Sequence, residues 1–524
     1  MLSFPVQGLE IVVSKRKLYL NLISTRAGVD STYIRLSIMC GIIAISGTDN
    51  SAYEAFFGLM NLQHRGQDGA GILTVDDKDP PGFHVHKGSG LIDNVFSERS
   101  FKNLKGKAAV GHARYATVGG NNPNLLQPFL DFDEGFGIAH NGNIVNFYSL
   151  RDKWLASGAS RNKRVISDSE LIMRLLAQKL DSANSEISAQ SLFKALKEVM
   201  NTLVGAYSVV GLTRNGDIFG FRDPHGIRPL VFGTRTGDDK RPNFAMASES
   251  VALRFLGYSE ISEVEAGEAI FVSADGKVER ELIHQESNSP CMFEWVYFAR
   301  VESEFSSTSV YRSRFQLGLV LAEQLKAAAI DADIVVPVPE TSRATAIALS
   351  ESLNIPFREL LIKNRYVNRT FILDDQHSRQ EAIRRKLFPI AEEFEGQRCL
   401  VVDDSIVRGN TAKQLVRLIR QSGAREIILV SACPPISHPC YYGIDFPSPK
   451  ELVAYQRDSR AIAEELGADR VVYQDIEGLK KALDEDSLCT GCLTGKYPTS
   501  IDEGLDFEKQ RLLDRKDSVK GSSC

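Results

Sequence analysis

Apolar residues along this 524-residue chain fall into two rhythms. Up to about residue 275 they come as short runs broken by glycine, such as CGIIAISG from Cys40, GAYSVVGLT from Gly205, GDIFGFRD from Gly216, GIRPLVFG from Gly226 and AIFVSADG from Ala269. Runs of that length and punctuation predict strands. Between them, DSELIMRLLAQKL from Asp168 and SLFKALKEVMNTL from Ser191 repeat apolar residues at spacings of three and four, the period of an amphipathic helix. Residues 40–275 therefore read as one mixed α and β domain, sheets flanked by helices.

After about residue 310 strand alternates with helix. DIVVPVPE precedes TSRATAIALSESL, RCLVVDD precedes TAKQLVRLIRQSG, EIILVSACPP follows, and the helix RAIAEELG leads into RVVYQDI. Parallel strands need crossover connections, so this alternation predicts a parallel sheet in a second domain over 276–500. Residues 501–524, dense in charged side chains, read as a C-terminal tail. Residues 1–39, with five Lys or Arg against two acids, read as a leader or propeptide, an organellar transit peptide, or a mispredicted start ahead of Met39.

Composition narrows the function classes. With 43% hydrophobic and 25% charged residues, a formal net charge of −5 and no apolar run long enough to cross a bilayer, the chain predicts neither a membrane nor a nucleic acid as partner. Eight cysteines are too sparse for a secreted disulfide scaffold, which points to a reducing, cytoplasmic setting and to thiols used as chemistry, metal ligands or core.

In RCLVVDDSIVRGNT, residues 398–411, an apolar strand ends in Asp403 and Asp404, and a turn leads to a helix opening near Thr411. Ligands of open parallel sheets sit beyond the carboxyl ends of the strands, where a helix amino terminus offers N–H groups to an anion. A phosphate fits the turn from Ser405 to Thr411, and the paired acids suit sugar hydroxyls or a divalent cation; the alternative is a solvated acid pair ending a strand.

The string resembles the ribose-5-phosphate loop of type I phosphoribosyltransferases, which use phosphoribosyl pyrophosphate with magnesium. That resemblance implies that Asp403, Asp404, Ser405, Arg408, Gly409, Asn410 and Thr411 bind phosphoribosyl pyrophosphate. VVPVPETSRA, residues 335–344, would be the pyrophosphate loop, with Thr341 joining Asp403 and Asp404 on the Mg2+ side. KNRYVNRTFI and the basic cluster Arg384, Arg385 and Lys386 resemble the loop that folds over substrate, which makes Arg369 and Lys386 candidates. Asn368 stands where that loop usually has glycine, and asparagine also tolerates positive φ. A solvated helix face is the other reading of the cluster.

Cys40 poses a different problem. A thiol attacks only as thiolate, and with a reference pKa of about 8.5 it needs a base beside it. If Cys40 were the first residue, its own α-amino group, of reference pKa about 8, would be that base. GHARYATVG, residues 111–119, supplies Arg114 for a substrate carboxylate. AHNGNI, residues 139–144, supplies the Asn141 side chain and the Gly142 N–H for an oxyanion, and Asp168 in ISDSE suits a substrate ammonium. Singly, these read as a buried thiol, a turn and a helix cap. With LQHRGQDGAGI, residues 62–72, they resemble the glutaminase domain of the N-terminal-nucleophile amidotransferases, an αββα sandwich. A side-chain base such as His64 or His112 is the fallback.

Joined, the halves resemble the amidophosphoribosyltransferase family from Cys40 to about residue 500. The resemblance implies that glutamine is hydrolysed at Cys40 through a thioester. Ammonia then passes to phosphoribosyl pyrophosphate, giving 5-phosphoribosylamine, glutamate and pyrophosphate at the entry to purine synthesis. CTGC, Cys489 to Cys492, is by itself a two-ligand bite for zinc, an iron–sulfur cluster or a redox pair. With Cys291 and Cys440 it resembles the branch in which four cysteines hold a [4Fe–4S] cluster, structural zinc being the alternative and four unmetallated thiols the plainest. Purine nucleotides as feedback inhibitors and a homotetramer are further implications. An ATP-dependent synthetase half would need a loop such as SGGxDS, which the sequence lacks. A nucleotide-sensing regulator that kept the fold without catalysis would have no use for the glutaminase set.

Overall fold

The computed structural model describes residues 40–78, 81–115, 123–157, 165, 167–180, 186–237, 240–363, 387–444, 446 and 448–504. Thirteen strands of the first half form two antiparallel sheets: β1 (Gly41–Ser46), β2 (Gly69–Val75), β3 (Phe83–Ser89), β4 (Ala108–Arg114), β5 (Phe129–Asp131), β6 (Phe136–Ile144), β7 (Gly205–Thr213), β8 (Ile218–Arg222), β9 (Val231–Thr236), β10 (Pro242–Ala247), β11 (Glu260–Glu263), β12 (Glu268–Val272) and β13 (Val278–Leu282). One sheet runs β11-β9-β10-β1-β4-β2-β3 and the other β13-β12-β8-β7-β6-β5. Because β13 pairs with β12, the second sheet continues past residue 275.

The sheets face each other. Ile42 and Ala44 of β1 meet Ala139, Val210 and Leu212 across the gap, while Ile43 and Ile45 turn outward against helix α1 (Ser51–Asn61). With both faces covered, β1 is buried at all six positions, which explains its unbroken apolar run. On the far side, α2 (Asp168–Leu180) and α3 (Ala189–Met200) lay Leu171, Leu176, Leu192 and Leu196 on Val209, Phe219 and Phe221. Each such side chain is worth about 1.5–3 kcal/mol when buried. The result is the αββα sandwich. Helix α3 starts two residues before Ser191 because Ser188 caps it, accepting from the Ser191 N–H at 3.2 Å.

The chain crosses to the second half through a five-residue π-helical turn, Glu294–Phe298, whose Trp295 carbonyl accepts from Arg314 Nε at 2.8 Å. There α4 (Val310–Ala327) and α5 (Arg343–Leu353) flank a sheet of β14 (Ile334–Pro337), β15 (Arg398–Asp403), β16 (Glu426–Ser431) and β17 (Arg470–Tyr473). All three pairings are parallel, in the order just given. Helix α6 (Asn410–Gln421) packs Leu415, Val416 and Ile419 on the opposite face, so β15 is covered on both sides and its carboxyl end opens near the sheet's middle.

Candidate active sites

Cys40 directly precedes β1, whose Gly41 lies opposite Ala113 of β4, so the thiol emerges beside Arg114. Its Sγ stands 4.0 Å from the Tyr115 carbonyl. Burial pushes the thiol up to about 11; Asp168 and Asp68 add to the shift and Arg114 opposes it, so all three charges act on the sulfur. At neutral pH such a thiol is protonated and waits for a base. Gly66 brings the 62–72 segment against the end of β4. Its backbone is extended, with φ −157°, so glycine is needed for space: a Cβ would stand 2.5 Å from both the Ala113 carbonyl carbon and its oxygen. Asp68 N–H then donates to the Arg114 carbonyl at 3.0 Å.

Asn141 and Gly142 lie on β6 opposite Ser208 and Tyr207. The Asn141 side chain is 1% exposed, and neither Oδ1 nor Nδ2 has a hydrogen-bond partner among the described residues. An unpaired buried amide costs roughly 1–3 kcal/mol, so a fold that keeps one holds it for something. Gly142 has φ +148°, and a Cβ there would stand 2.0 Å from the Ala206 carbonyl oxygen. Asp168 opens α2; its Oδ1 accepts from Ser169 N–H at 2.8 Å and stands 3.9 Å from Nδ1 of His140, the neighbour of Asn141. The capping bond expected of Asp168 is made instead by Ser167, whose Oγ accepts from the Glu170 N–H at 3.1 Å, because Asp168 is already the first helical residue. Of the fallback bases, His64 Nε2 lies 2.6 Å from Glu249 Oε1, and burial lowers His112 to about 3. Residues 116–119 of the Arg114 motif lie outside the described residues.

In the second half, Asp403 ends β15 and accepts the Asp404 N–H at 2.9 Å. Burial first, and then the neighbouring carboxylate, hold Asp403 well above the usual carboxylate range. Burial likewise raises Asp404, while Ser405 and Arg314 oppose the shift. Ser405 Oγ donates to Asp404 Oδ1 at 2.7 Å, and the Thr341 side chain is near enough to oppose the upward shift of Asp404, so the two candidate loops meet at one carboxylate. Gly409, at φ +75°, turns the chain into α6 ahead of Asn410 and Thr411. Arg408 Nε donates to Glu451 at 3.0 Å. Two crowded carboxylates with depleted hydration suit a divalent cation, so the donor set fits magnesium. Arg369 and Lys386 lie outside the described residues.

Cys291, Cys489 and Cys492 share one buried core, with Cys440 packed against it. Cys291 and Cys489 face each other in an isolated parallel bridge, and Cys489 N–H donates to the Pro290 carbonyl at 2.9 Å. Burial holds the Cys492 thiol well above its usual range, with Cys440, Cys433, Cys291 and Cys489 adding to the shift, and the fully buried Arg228 guanidinium acts on Cys291, Cys440 and Cys489. Among the described residues, no three His, Cys, Asp or Glu side chains form a group that could hold a metal ion as they stand. No disulfide joins any two of the seven described cysteines, and Cys399 and Cys433 are core.

Three features escape a reading of the sequence. Arg314, on α4, acts by its charge on Asp404. Arg65 is fully buried between Glu249 and Glu294, and Glu294 also pairs with Arg228 at 3.4 Å. Asn143 Nδ2 donates to the Tyr441 carbonyl at 2.7 Å, across 298 residues of sequence. No local signal announces such pairs, although an arginine inside LQHRGQDG, a segment otherwise free of cations, was the available hint for Arg65.

Two family models match the chain, a glutamine amidotransferase domain over residues 112–255 and a phosphoribosyl transferase domain over residues 316–448. It is 41% identical to an amidophosphoribosyltransferase of Pasteurella multocida over 458 residues, 86% of this chain and 90% of that one. To the amidophosphoribosyltransferase of Saccharomyces cerevisiae it is 38% identical over 501 residues, 93% and 97% of the two chains. The solved glutamine phosphoribosylpyrophosphate amidotransferase from B. subtilis, complexed with ADP and GMP, matches with a TM-score of 0.78 at 36% identity, over 88% of this chain and 98% of that one.

Proposed function

The chain belongs to the amidophosphoribosyltransferase family, and from that premise we propose how its two halves divide the reaction. Its overall chemistry is transfer of nitrogen from glutamine to phosphoribosyl pyrophosphate, giving 5-phosphoribosylamine, glutamate and pyrophosphate, the first step of purine biosynthesis. In our reading Arg114 holds the α-carboxylate of glutamine and Asp168 its α-ammonium. The Cys40 sulfur attacks the side-chain amide carbonyl as the Cys40 α-amino group takes its proton. The oxyanion that forms is met by Asn141 Nδ2 and the Gly142 N–H. Ammonia leaves with a proton from the same amine, and water then releases glutamate from the thioester.

The observation that carries this reading is the Asn141 amide, buried and unpartnered beside a glycine at φ +148°. Ground-state structure has no use for it, whereas a transient oxyanion does. Asn141→Ala should lower glutaminase kcat by roughly 10²–10³-fold with the KM for glutamine little changed and ammonium-dependent synthesis intact. A normal glutaminase rate in that variant would defeat the assignment.

At the second site, Ser405 to Thr411 would cradle the 5-phosphate at the amino terminus of α6, with Arg369 and Lys386 closing over the pyrophosphate. Asp403, Asp404 and Thr341 would hold Mg2+, which when bound neutralises the departing pyrophosphate. Protecting ammonia from protonation and escape calls for a closed passage between the sites. Cys291, Cys440, Cys489 and Cys492 would hold a [4Fe–4S] cluster, which supplies a rigid joint between the halves. The gathering of the four thiols at one buried core supports this reading.

In this reading the glutaminase domain runs from residue 40 through β13, beyond the boundary at 275 that the sequence suggests, and the phosphoribosyltransferase domain follows to about residue 500, with 1–39 a leader or propeptide and 501–524 a tail. Purine nucleotides would inhibit, as the ADP and GMP on the B. subtilis relative favour. A homotetramer follows from family likeness. A cytoplasmic setting is the reading that the sparse cysteines favour, and no helix among the described residues is long and apolar enough to cross a membrane.

A further inference from the structure

The segment Cys440–Gly443 lies against strand β6 at the residues read above as the oxyanion site. Asn143 Nδ2 donates to the Tyr441 carbonyl at 2.7 Å. Two residues on, Gly443 has φ +109°, and a Cβ built there would stand 3.3 Å from the Gly142 carbonyl oxygen and 3.4 Å from its carbonyl carbon. Backbone therefore rests on backbone, one glycine over the other. The segment is itself pinned from the cysteine-rich corner. Cys440 Sγ accepts from Tyr442 N–H at 3.4 Å, Tyr497 Oη donates to the Pro439 carbonyl at 2.7 Å, and Thr499 N–H donates to Tyr442 Oη at 3.0 Å. The Tyr441 and Tyr497 rings pack edge to face with centroids 5.1 Å apart.

From this arrangement we propose that Cys440–Gly443 is a bracket that positions the oxyanion-binding residues of the glutaminase, with Asn143 as its positioning residue. The proposal rests on the reading of Asn141 and Gly142 as oxyanion donors. Gly142 has no side chain to anchor its peptide, and glycine backbone rocks at little cost. An oxyanion site works because its donors are already aimed before charge develops. Strand β7 pairs with β6 through Ile144 on one edge, while β5 covers the other edge only as far as Ile138; the hydrogen bond at Asn143 and the Gly443 contact add restraint at this end from the phosphoribosyl half. Asn143 touches no substrate in this scheme; it acts through Gly142. A displacement of about 1 Å at such a site costs up to ~10²-fold in rate.

The test uses the full-length protein purified without oxygen. Asn143→Asp keeps the shape but points an acceptor at the Tyr441 carbonyl; Asn143→Ala removes the donor; Gly443→Ala adds a methyl against Gly142. Each is assayed beside Asn141→Ala for glutaminase kcat and KM, for ammonium-dependent synthesis, for alkylation of Cys40 by iodoacetamide, and for inhibition by glutamate γ-semialdehyde. That aldehyde adds to a thiol to give a tetrahedral oxygen, whereas alkylation develops no oxyanion. The bracket predicts a kcat roughly 10–100-fold lower, KM within about twofold, weaker inhibition by the aldehyde in parallel with kcat, and unchanged alkylation and ammonium-dependent rates. Full kcat in the Asn143 and Gly443 variants, with Asn141→Ala impaired, overturns the bracket alone. A normal rate in Asn141→Ala overturns the oxyanion reading and the bracket with it. If alkylation and KM deteriorate together with kcat in all three bracket variants, the contact is structural support and the proposal is wrong. Should Asn143→Asp lose ammonium-dependent synthesis as well, Asn143→Ala and Gly443→Ala decide.

Discussion

Cys40 is the residue on which the glutaminase reading turns, and its surroundings explain why it needs help. Burial holds its thiol at about 11, and Arg114 offsets this only in part. His112 is held neutral by burial and His64 is engaged by Glu249, so the α-amino group is the base that remains in our reading. That group exists only once the Met39–Cys40 bond is gone. Terminal sequencing of active protein from its native cell should therefore read Cys-Gly-Ile-Ile; fully glutamine-active protein that still carries residues 1–39 would refute the mechanism. At this scale the sequence was informative, because polar residues inside apolar strands, such as Asn141, or at strand ends, such as Arg114 and Asp403, are conspicuous against their background. Asn143 looked like its neighbours, since its partner Tyr441 is 298 positions away.

Among the elements, legibility followed period. Helix α2 spans the stretch Asp168–Leu180 that its apolar spacing predicts, β1, β7 and β8 fall within their glycine-bounded runs, and β12 starts one residue ahead of its run. What periodicity does not carry is the joint between halves. The π-helical turn at Glu294–Phe298 arises where the chain must deliver Glu294 to Arg65 and Arg228 while Trp295 meets Arg314. Despite burial, which pushes the other way, Arg65 and His64 hold the Glu249 carboxyl well below its usual range. Removing one partner of such a network strands the others. Arg65→Ala should cost about 3–5 kcal/mol, read as a clear drop in the thermal unfolding midpoint; an unchanged midpoint would show that the network contributes little.

For the whole molecule, the account is of two sites whose scaffolds are tied at a cysteine-rich corner. The parallel sheet and the sheets flanked by helices were visible as rhythms of the chain, whereas the αββα order and the grouping of Cys291, Cys440, Cys489 and Cys492 were expected only by family resemblance, since 149 positions separate the first two cysteines. Protein purified without oxygen should carry about four iron per chain, the content of one cubane held by four thiolates, and Cys489→Ser should lower it. Zinc without iron, or iron unchanged in that variant, would reject the cluster. The division of labour itself is tested most directly by Cys40→Ala, assayed for phosphoribosylamine formation with glutamine and with ammonium side by side. The account predicts that glutamine-dependent synthesis disappears while ammonium-dependent synthesis persists near its original rate; equal loss under both nitrogen sources, or survival of the glutamine-dependent rate, would contradict it.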